Sequence, residues 1–443
     1  MVKWYRLLEV GLVFVVVSGV YFSGLHAVPF HGDESHWIAT SCYLEALLTR
    51  DFTEPDWLRE SGLDGDFPVP DWLSPALASA PSAPHVWNAH YWTMTQPPVS
   101  RYMIALGRLA GGYHVADLNR PWDFDVSNAQ NVASGNKPSR GLLWSARAMM
   151  ALLSVISGMI LYLLARYVGG AVSGYVFVVL FAGSEYLLIH LRRAMSEPPL
   201  LFFTTLTLLA GVRALMMASR RGDSIAQRFR ASLVWLLLMG VGVGLSGAAK
   251  LNGLALILAG ATFCCIIAWH GPGKRRLWYA MGIFLFVGLV AALVFIAVNP
   301  FLYPQPPLRT IALGLFRRWE MSRQIRRPEW HIADWGERLR ILPQRILRDY
   351  TILHDELFNG ILLAFGLFYL ARSARLWLIG KSGSAASVAI LAVGAVTALP
   401  PLLTPLDWDR YYMYPVIFTS LCIAMAIGHF ARAGWGRLVS LAG

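Results

Sequence analysis

Asp33 and Glu34 stand side by side in PFHGDESHW, residues 29–37, directly after an apolar run over residues 7–30 whose one acidic residue is Glu9. Neighbouring carboxylates can accept a proton, hold a cation or cap a helix. Capping is the plainest use, because Asp is a favoured N-cap and a helix running through Ser35 to Leu48 would begin here. Three further turns carry charge: HLRRAMSEPPLLFF brings Arg192, Arg193 and Glu197, GAAKLNGL brings Lys250, and TPLDWDRYYMYP brings Asp407, Asp409 and Arg410. Each lies at the end of an apolar run, where a charge is costly and is either functional, an anchor or half of an ion pair. Between Leu308 and Asp349 a fourth stretch interleaves Arg309, Arg317, Arg318, Arg323, Arg326, Arg327, Arg338, Arg340, Arg345 and Arg348 with Trp319, Trp330 and Trp335. The guanidinium fork suits phosphate and Trp suits a lipid interface. That stretch reads equally as a lipid-phosphate site and as a solvated face paired with Glu320, Glu329, Asp334 and Glu337.

A membrane would position these groups. At 1.5 Å per residue, a helical run the length of 7–30 matches a bilayer core of about 30 Å. Comparable runs recur near 143–166, 171–190, 198–217, 231–248, 252–269, 278–298, 357–371, 384–404 and 413–431. The expected fold is an all-α polytopic membrane protein with about ten transmembrane helices, one transmembrane domain covering 1–443, and two long loops, 31–142 and 300–356. A chain that is 56% hydrophobic, 14% charged and carries 17 Trp belongs with such proteins. The net charge of +12 would suggest nucleic acid in a soluble chain. Here the cations lie in short loops between apolar runs, among them Arg220, Arg221, Arg228, Arg230, Lys274, Arg275 and Arg276 against Asp223. That is the positive-inside pattern, and it removes nucleic acid from the partners. Both termini are therefore expected in the cytoplasm and both long loops on the extracytoplasmic side. Lys3 and Arg6 precede the first run as in a signal peptide, but the run is too long and lacks a small-residue cleavage site, so it reads as an uncleaved span. Cys42, Cys264, Cys265 and Cys422 show neither disulfide nor metal spacing.

The first long loop opens with an expected helix over 34–49, where Trp37, Ser41, Leu44 and Leu48 recur at helical spacing. Residues 51–90, rich in Asp, Pro and Trp without periodicity, read as a lid or a partner-facing insertion. Pro97 and Pro98 open a second short helix over 95–113, expected to lay Met103, Ile104, Leu106 and Leu109 on the membrane while Arg101 and Arg108 stay polar. All the charged turns and Asp33 share the outward side.

Taken in order, these motifs resemble the dolichyl-phosphate-mannose protein mannosyltransferases and their bacterial relatives, including the lipid A aminoarabinose transferase, all of the C-type glycosyltransferase fold. The matching stretches are GDE after the first span, QPPVSRYMIALGRLAG, ARAMMALLSVISGMILYLLARYVGG, LRRAMSEPPLLFFTTLTLLA, GLSGAAKLNGLALILAG, VNPFLY and DWDRYYMYP, spread from residue 1 to about 425. The resemblance implies an inverting transfer of one sugar from a polyprenyl- or dolichyl-phosphate carrier to an acceptor hydroxyl on a protein, glycolipid or polysaccharide. It implies Asp33 as the catalytic base with Glu34 beside it. Arg192 and Arg101 fall where the family places cations meeting the donor phosphate, and Lys250 matches the lysine that would orient donor or acceptor. Glu197, Gln96, Asp409 and Arg410 are further contact candidates. Gln96 stands where the mannosyltransferases have His, and Glu197 where they have Asp. The large domain that eukaryotic members insert after the seventh span is replaced by the short Arg-rich loop, which favours a prokaryotic plasma membrane. No cofactor is implied with certainty, and a divalent metal stays open because one Asp-Glu pair is not a ligand set. Two other classes remain: a transporter or flippase, for which inverted repeats and broken helices would be expected, and a catalytically idle subunit docking through the Arg-rich loop and residues 51–90.

Overall fold

A computed structural model describes residues 2–49, 53–60, 62–63, 67–78, 85–220, 225–269, 276–326, 331–332 and 334–442. Arg221, Asp223, Lys274, Arg275, Arg327, Glu329, Trp330 and parts of the 51–90 insertion lie outside the described residues. The architecture is all-helical, and no strand occurs among the described residues apart from an isolated bridge between His331 and Leu406. Nine of the described helices are long and apolar enough to cross a membrane. They account for the apolar runs of the sequence because two runs, 143–166 and 171–190, share the 44-residue helix Arg140–Gly183, which reverses at Gly170. Gly170 has φ 84° and ψ 179°, a left-handed conformation that costs glycine little. Tyr162 and Tyr175 would lie about 20 Å apart on a straight helix, yet their ring centroids are 6.4 Å apart. The second arm breaks again at Ser184, whose hydroxyl accepts the Leu187 N–H at 3.3 Å and caps Glu185–Arg192.

Apolar residues left on the outside of the first span, such as Leu8, Leu12 and Val15, present the hydrocarbon-compatible surface that a bilayer requires. Glu9 is neutralised within the bundle: it accepts the hydroxyls of Tyr162 at 2.9 Å and Tyr175 at 2.6 Å and pairs with Arg166. Inside, Glu197–Arg220 packs along Ile225–Ala249, and the Arg140–Gly183 hairpin packs on the first span and on Met413–Ala442.

The two long loops close over the same end of the bundle, and the charged groups inside them differ from expectation. Val99–Ala110 is a helix after the double proline, but Arg101 and Arg108 are fully buried rather than solvated. Arg108 donates to Ser41 Oγ at 2.7 Å and pairs with Glu45, while Arg101 lies 4.1 Å over the Tyr43 ring and donates to the Trp92 carbonyl. The helix therefore turns its cations inward to staple the loop, because the Glu45 carboxylate and the carbonyls of Trp92 and Tyr113 accept from them there. The expected 34–49 helix is likewise three pieces, Gly32–Ala39, a 3-10 turn Thr40–Cys42, and Tyr43–Leu48. In the second loop Arg309 is 2% exposed and donates to the carbonyls of Ala76 at 2.8 Å, Ala78 at 3.2 Å and Phe301 at 2.8 Å. It fastens helix Pro306–Gln324 to the 51–90 insertion. Arg338 donates to the Leu402 carbonyl at 2.9 Å, so these two arginines hold chain segments together.

Candidate active site

Helix Gly32–Ala39 begins at His31, not at Asp33. The His31 Nδ1 accepts the Asp33 N–H at 3.1 Å, and Glu34 Oε2 accepts the His31 N–H at 3.1 Å, a reciprocal capping box. With His31 in the capping place, the Asp33 carboxylate is released from capping. Glu34 is fully buried and its two oxygens are spoken for: Arg147 reaches Oε1 through Nε at 2.8 Å and Oε2 through Nη2 at 2.7 Å, and the Ala194 N–H donates to Oε1 at 2.9 Å. Arg147 also donates to the carbonyls of Leu25 at 2.8 Å and Val28 at 2.9 Å, where the first span ends. The adjacent carboxylates thus have opposite settings. Glu34 ties the turn to the Arg140–Gly183 helix, while Asp33 keeps a fifth of its side chain exposed.

Asp33 Oδ2 is 2.7 Å from Arg410 Nη1, a pair formed across 377 positions of sequence. Burial would raise the Asp33 pKa, but the charges of Arg410, His31 and His36 outweigh it and hold the carboxyl below its usual range. The Arg410 guanidinium lies 4.2 Å over the Trp408 ring, and the Arg410 backbone N–H donates to Asp409 Oδ1 at 2.7 Å. Asp409 Oδ2 is 3.3 Å from His190 Nε2. Burial works against the Asp409 charge, yet His190 and the Arg410 N–H keep this carboxyl far below the ordinary value. Next to them Lys250 Nζ meets Glu197 Oε1 at 2.7 Å, with Glu197 1% exposed and its Oε2 buried without a hydrogen-bond partner. Arg410, Lys250 and Tyr411 line a pocket with about 430 Å³ of empty space, part of it open to the surroundings. Its other walls include Leu200, Leu256 and Val396, which belong to spanning helices. A polar, cationic rim over apolar walls can receive an anionic head group carrying an apolar chain.

The loop bearing Arg410 is braced from the Arg-rich segment. Arg345 bridges Asp349 at 3.1 Å and Asp407 at 2.7 Å, and Asp407 Oδ1 accepts the Tyr412 hydroxyl at 2.7 Å. Tyr186 donates to the Asp409 carbonyl at 2.5 Å and stacks on Tyr350 at 4.0 Å. Arg345 begins a π-helical turn, Arg345–Asp349, a local widening often found beside functional sites.

The structure therefore brings together Asp33, Arg410, Asp409, Glu197 and Lys250. It does not bring the other candidates to the pocket. Arg192 donates to the Tyr21 carbonyl at 3.1 Å and to the Val20 carbonyl, closing the end of the first span. Arg101 is enclosed by Tyr43 and Trp92, and Gln96 ends the short helix Tyr91–Thr95 with its Oε1 buried and unpartnered. Sequence reasoning passed over Arg147 and His190. Arg147 carried a signal, since it is a cation inside the apolar run 143–166. His190 carried none, being one residue of an amphipathic turn. No cluster of three or more His, Cys, Asp or Glu able to hold a metal occurs among the described residues.

Solved structures with this helical arrangement place the chain in the C-type glycosyltransferase fold. ArnT from Cupriavidus metallidurans aligns in its apo state at 14% identity and TM-score 0.51, covering 99% of this chain and 62% of that one. The same protein bound to undecaprenyl phosphate aligns at 15% identity and TM-score 0.50, over 98% and 63% of the two chains. The Archaeoglobus fulgidus oligosaccharyltransferase tethered to an acceptor peptide aligns at 14% identity and TM-score 0.51, over 96% and 50%. This chain thus spans half to less than two thirds of their lengths. No curated protein matches by sequence. The profile of the dolichyl-phosphate-mannose-protein mannosyltransferase family matches residues 86–307, half of the chain, and the chain belongs to that family.

Proposed function

We propose that this integral membrane protein transfers one sugar from a polyprenyl-phosphate carrier to an acceptor hydroxyl, with inversion at the anomeric carbon. One observation carries the reading: a carboxylate, Asp33, joined through Arg410 to a pocket that has cations at its rim and apolar walls beyond. The lipid phosphate sits against Arg410 and Lys250, and the carrier chain runs between Leu200, Leu256 and Val396. The acceptor oxygen attacks the anomeric carbon as its proton passes to the Asp33 carboxylate. The bond from that carbon to the phosphate oxygen breaks, and its electron pair leaves on the lipid phosphate, whose charge the two cations stabilise. Glu34 serves as the mount of Asp33 through Arg147. Arg192 and Arg101, which the resemblance put on the donor phosphate, act instead on the framework. The neighbour bound to undecaprenyl phosphate supports a carrier of that class.

The positive-inside distribution supports cytoplasmic termini, and the missing inserted domain supports a prokaryotic plasma membrane with the site on the extracytoplasmic side, within a single domain over 1–443. Asp33→Asn tests the assignment: in purified protein supplied with labelled polyprenyl-phosphate sugar, transfer is expected to fall by about a thousandfold or more, within the range that proton transfer and charge placement supply. A variant that retains near-normal transfer removes Asp33 from the reaction.

A further inference from the structure

Among the described residues, both cations lining the pocket are already held by carboxylates: Arg410 by Asp33 at 2.7 Å and Lys250 by Glu197 at 2.7 Å. An entering phosphate does not meet a bare cation there; it competes for one. The two pairs differ in how readily they part. Glu197 is 1% exposed, so stripping Lys250 from it would strand a charge in the bundle. Asp33 and Arg410 each retain about a fifth of their side-chain exposure, at 20% and 23%, and water can take over either group when they separate. Arg410 is also the better exchanger in kind, because a guanidinium presents several N–H donors in a planar fork that fits phosphate.

We propose that the donor's lipid phosphate draws Arg410 away from Asp33, so that Arg410 is a catalytic residue shared between base and leaving group. In the empty site it occupies Asp33; in the loaded site it binds phosphate and leaves Asp33 unpaired beside the acceptor. No covalent bond changes in the exchange, and the base is fully available only when a donor is present. The proposal rests on the reading of the pocket as the donor phosphate site.

The consequence runs against intuition: removing the base should strengthen donor-lipid binding. Binding of undecaprenyl phosphate to the purified protein in detergent is measured for the wild type, Asp33→Asn and Asp33→Ala, with undecaprenol as the uncharged control. Both variants are expected to bind undecaprenyl phosphate about five- to tenfold more tightly and undecaprenol unchanged. Because removing any nearby negative charge favours an anion, the gain must also vanish when Arg410 is absent: Asp33→Asn combined with Arg410→Gln should bind no more tightly than Arg410→Gln alone. Equal or weaker binding by both Asp33 variants, or a gain that survives in the double variant, overturns the exchange while leaving the donor site standing. A wild-type protein that does not distinguish undecaprenyl phosphate from undecaprenol overturns the donor-site reading and the exchange together.

Discussion

Replacing Arg147 with Met should unfold the end of the molecule that presents Asp33, and the cost can be worked from the contacts. Arg147 supplies two charge-assisted hydrogen bonds to Glu34 and two to the carbonyls of Leu25 and Val28, all within a site where Glu34 is fully buried and Arg147 is 2% exposed. Without the guanidinium, Glu34 keeps the N–H groups of His31 and Ala194 but loses its counter-charge. Breaking one partner of a buried pair costs about 3–5 kcal/mol, far more than the pair contributes net, because the penalty is the stranded charge. The same reasoning makes the effect conditional. In a Glu34→Gln background no charge is stranded, so Arg147→Met should cost at least about 2 kcal/mol less there, a coupling typical of groups in one network. Reversible unfolding of the four proteins of this cycle in detergent gives the energies, and transfer by the folded fraction reports whether the turn still presents Asp33. An Arg147→Met cost below about 1 kcal/mol, or a coupling near zero, would show that the pair is not what holds the turn.

Two other predictions concern groups that support the site from farther away. His90 is buried against Tyr43 and Thr93, with its Nε2 3.0 Å and 2.6 Å from their hydroxyls, and burial followed by the Arg101 charge lowers its pKa to about 3. The unfolded chain binds this proton near pH 6.5, so stability is full above that value and declines as pH falls from 6.5 toward 3. The loss attributable to His90 should be about 2 kcal/mol at pH 5, and the slope of unfolding free energy against pH should flatten by about one proton in His90→Asn. Arg345→Gln should lower kcat by about ten- to a hundredfold with little effect on folding, because the Arg345–Asp407 pair is partly exposed and braces the loop that carries Arg410. Placing Asp at 345 and Arg at 407 should restore much of the rate, and no recovery in that swap would count against a positioning role.

The spans were legible because a bilayer imposes its thickness on the chain: each crossing needs a long apolar run, and each run in the sequence reappears as helix. The reversal at Gly170 was legible as a gap between runs, although the break at Ser184 was not, since one Ser in an apolar segment is compatible with an unbroken helix. That the charged turns share one end followed from counting crossings, and Asp33, Glu197, Lys250 and Arg410 do meet there. Counting crossings cannot say who pairs with whom. Residues 33 and 410 are joined only when the last spanning helix packs on the hairpin beside the first, a long-range outcome with no local pattern. Likewise Asp33 looked like the cap because Asp favours that place, whereas the reciprocal box uses His31 and Glu34.

Residue type alone left the Arg-rich loop open between a lipid-phosphate site and a solvated face, and its described arginines show why. Arginine fits phosphate through the same fork that fits carbonyls and carboxylates, and a loop folded over the end of a helical bundle exposes many carbonyls that water cannot reach. Arg309, Arg338 and Arg345 meet that need, binding the insertion, the Leu402 carbonyl and Asp407. These three therefore serve the framework, and the cations lining the pocket are Arg410 and Lys250, which the sequence placed among its charged turns and not in its richest arginine cluster. Among the loop's described arginines, Arg345 reaches the candidate site, through Asp407 to the turn that sets Arg410 against Asp33.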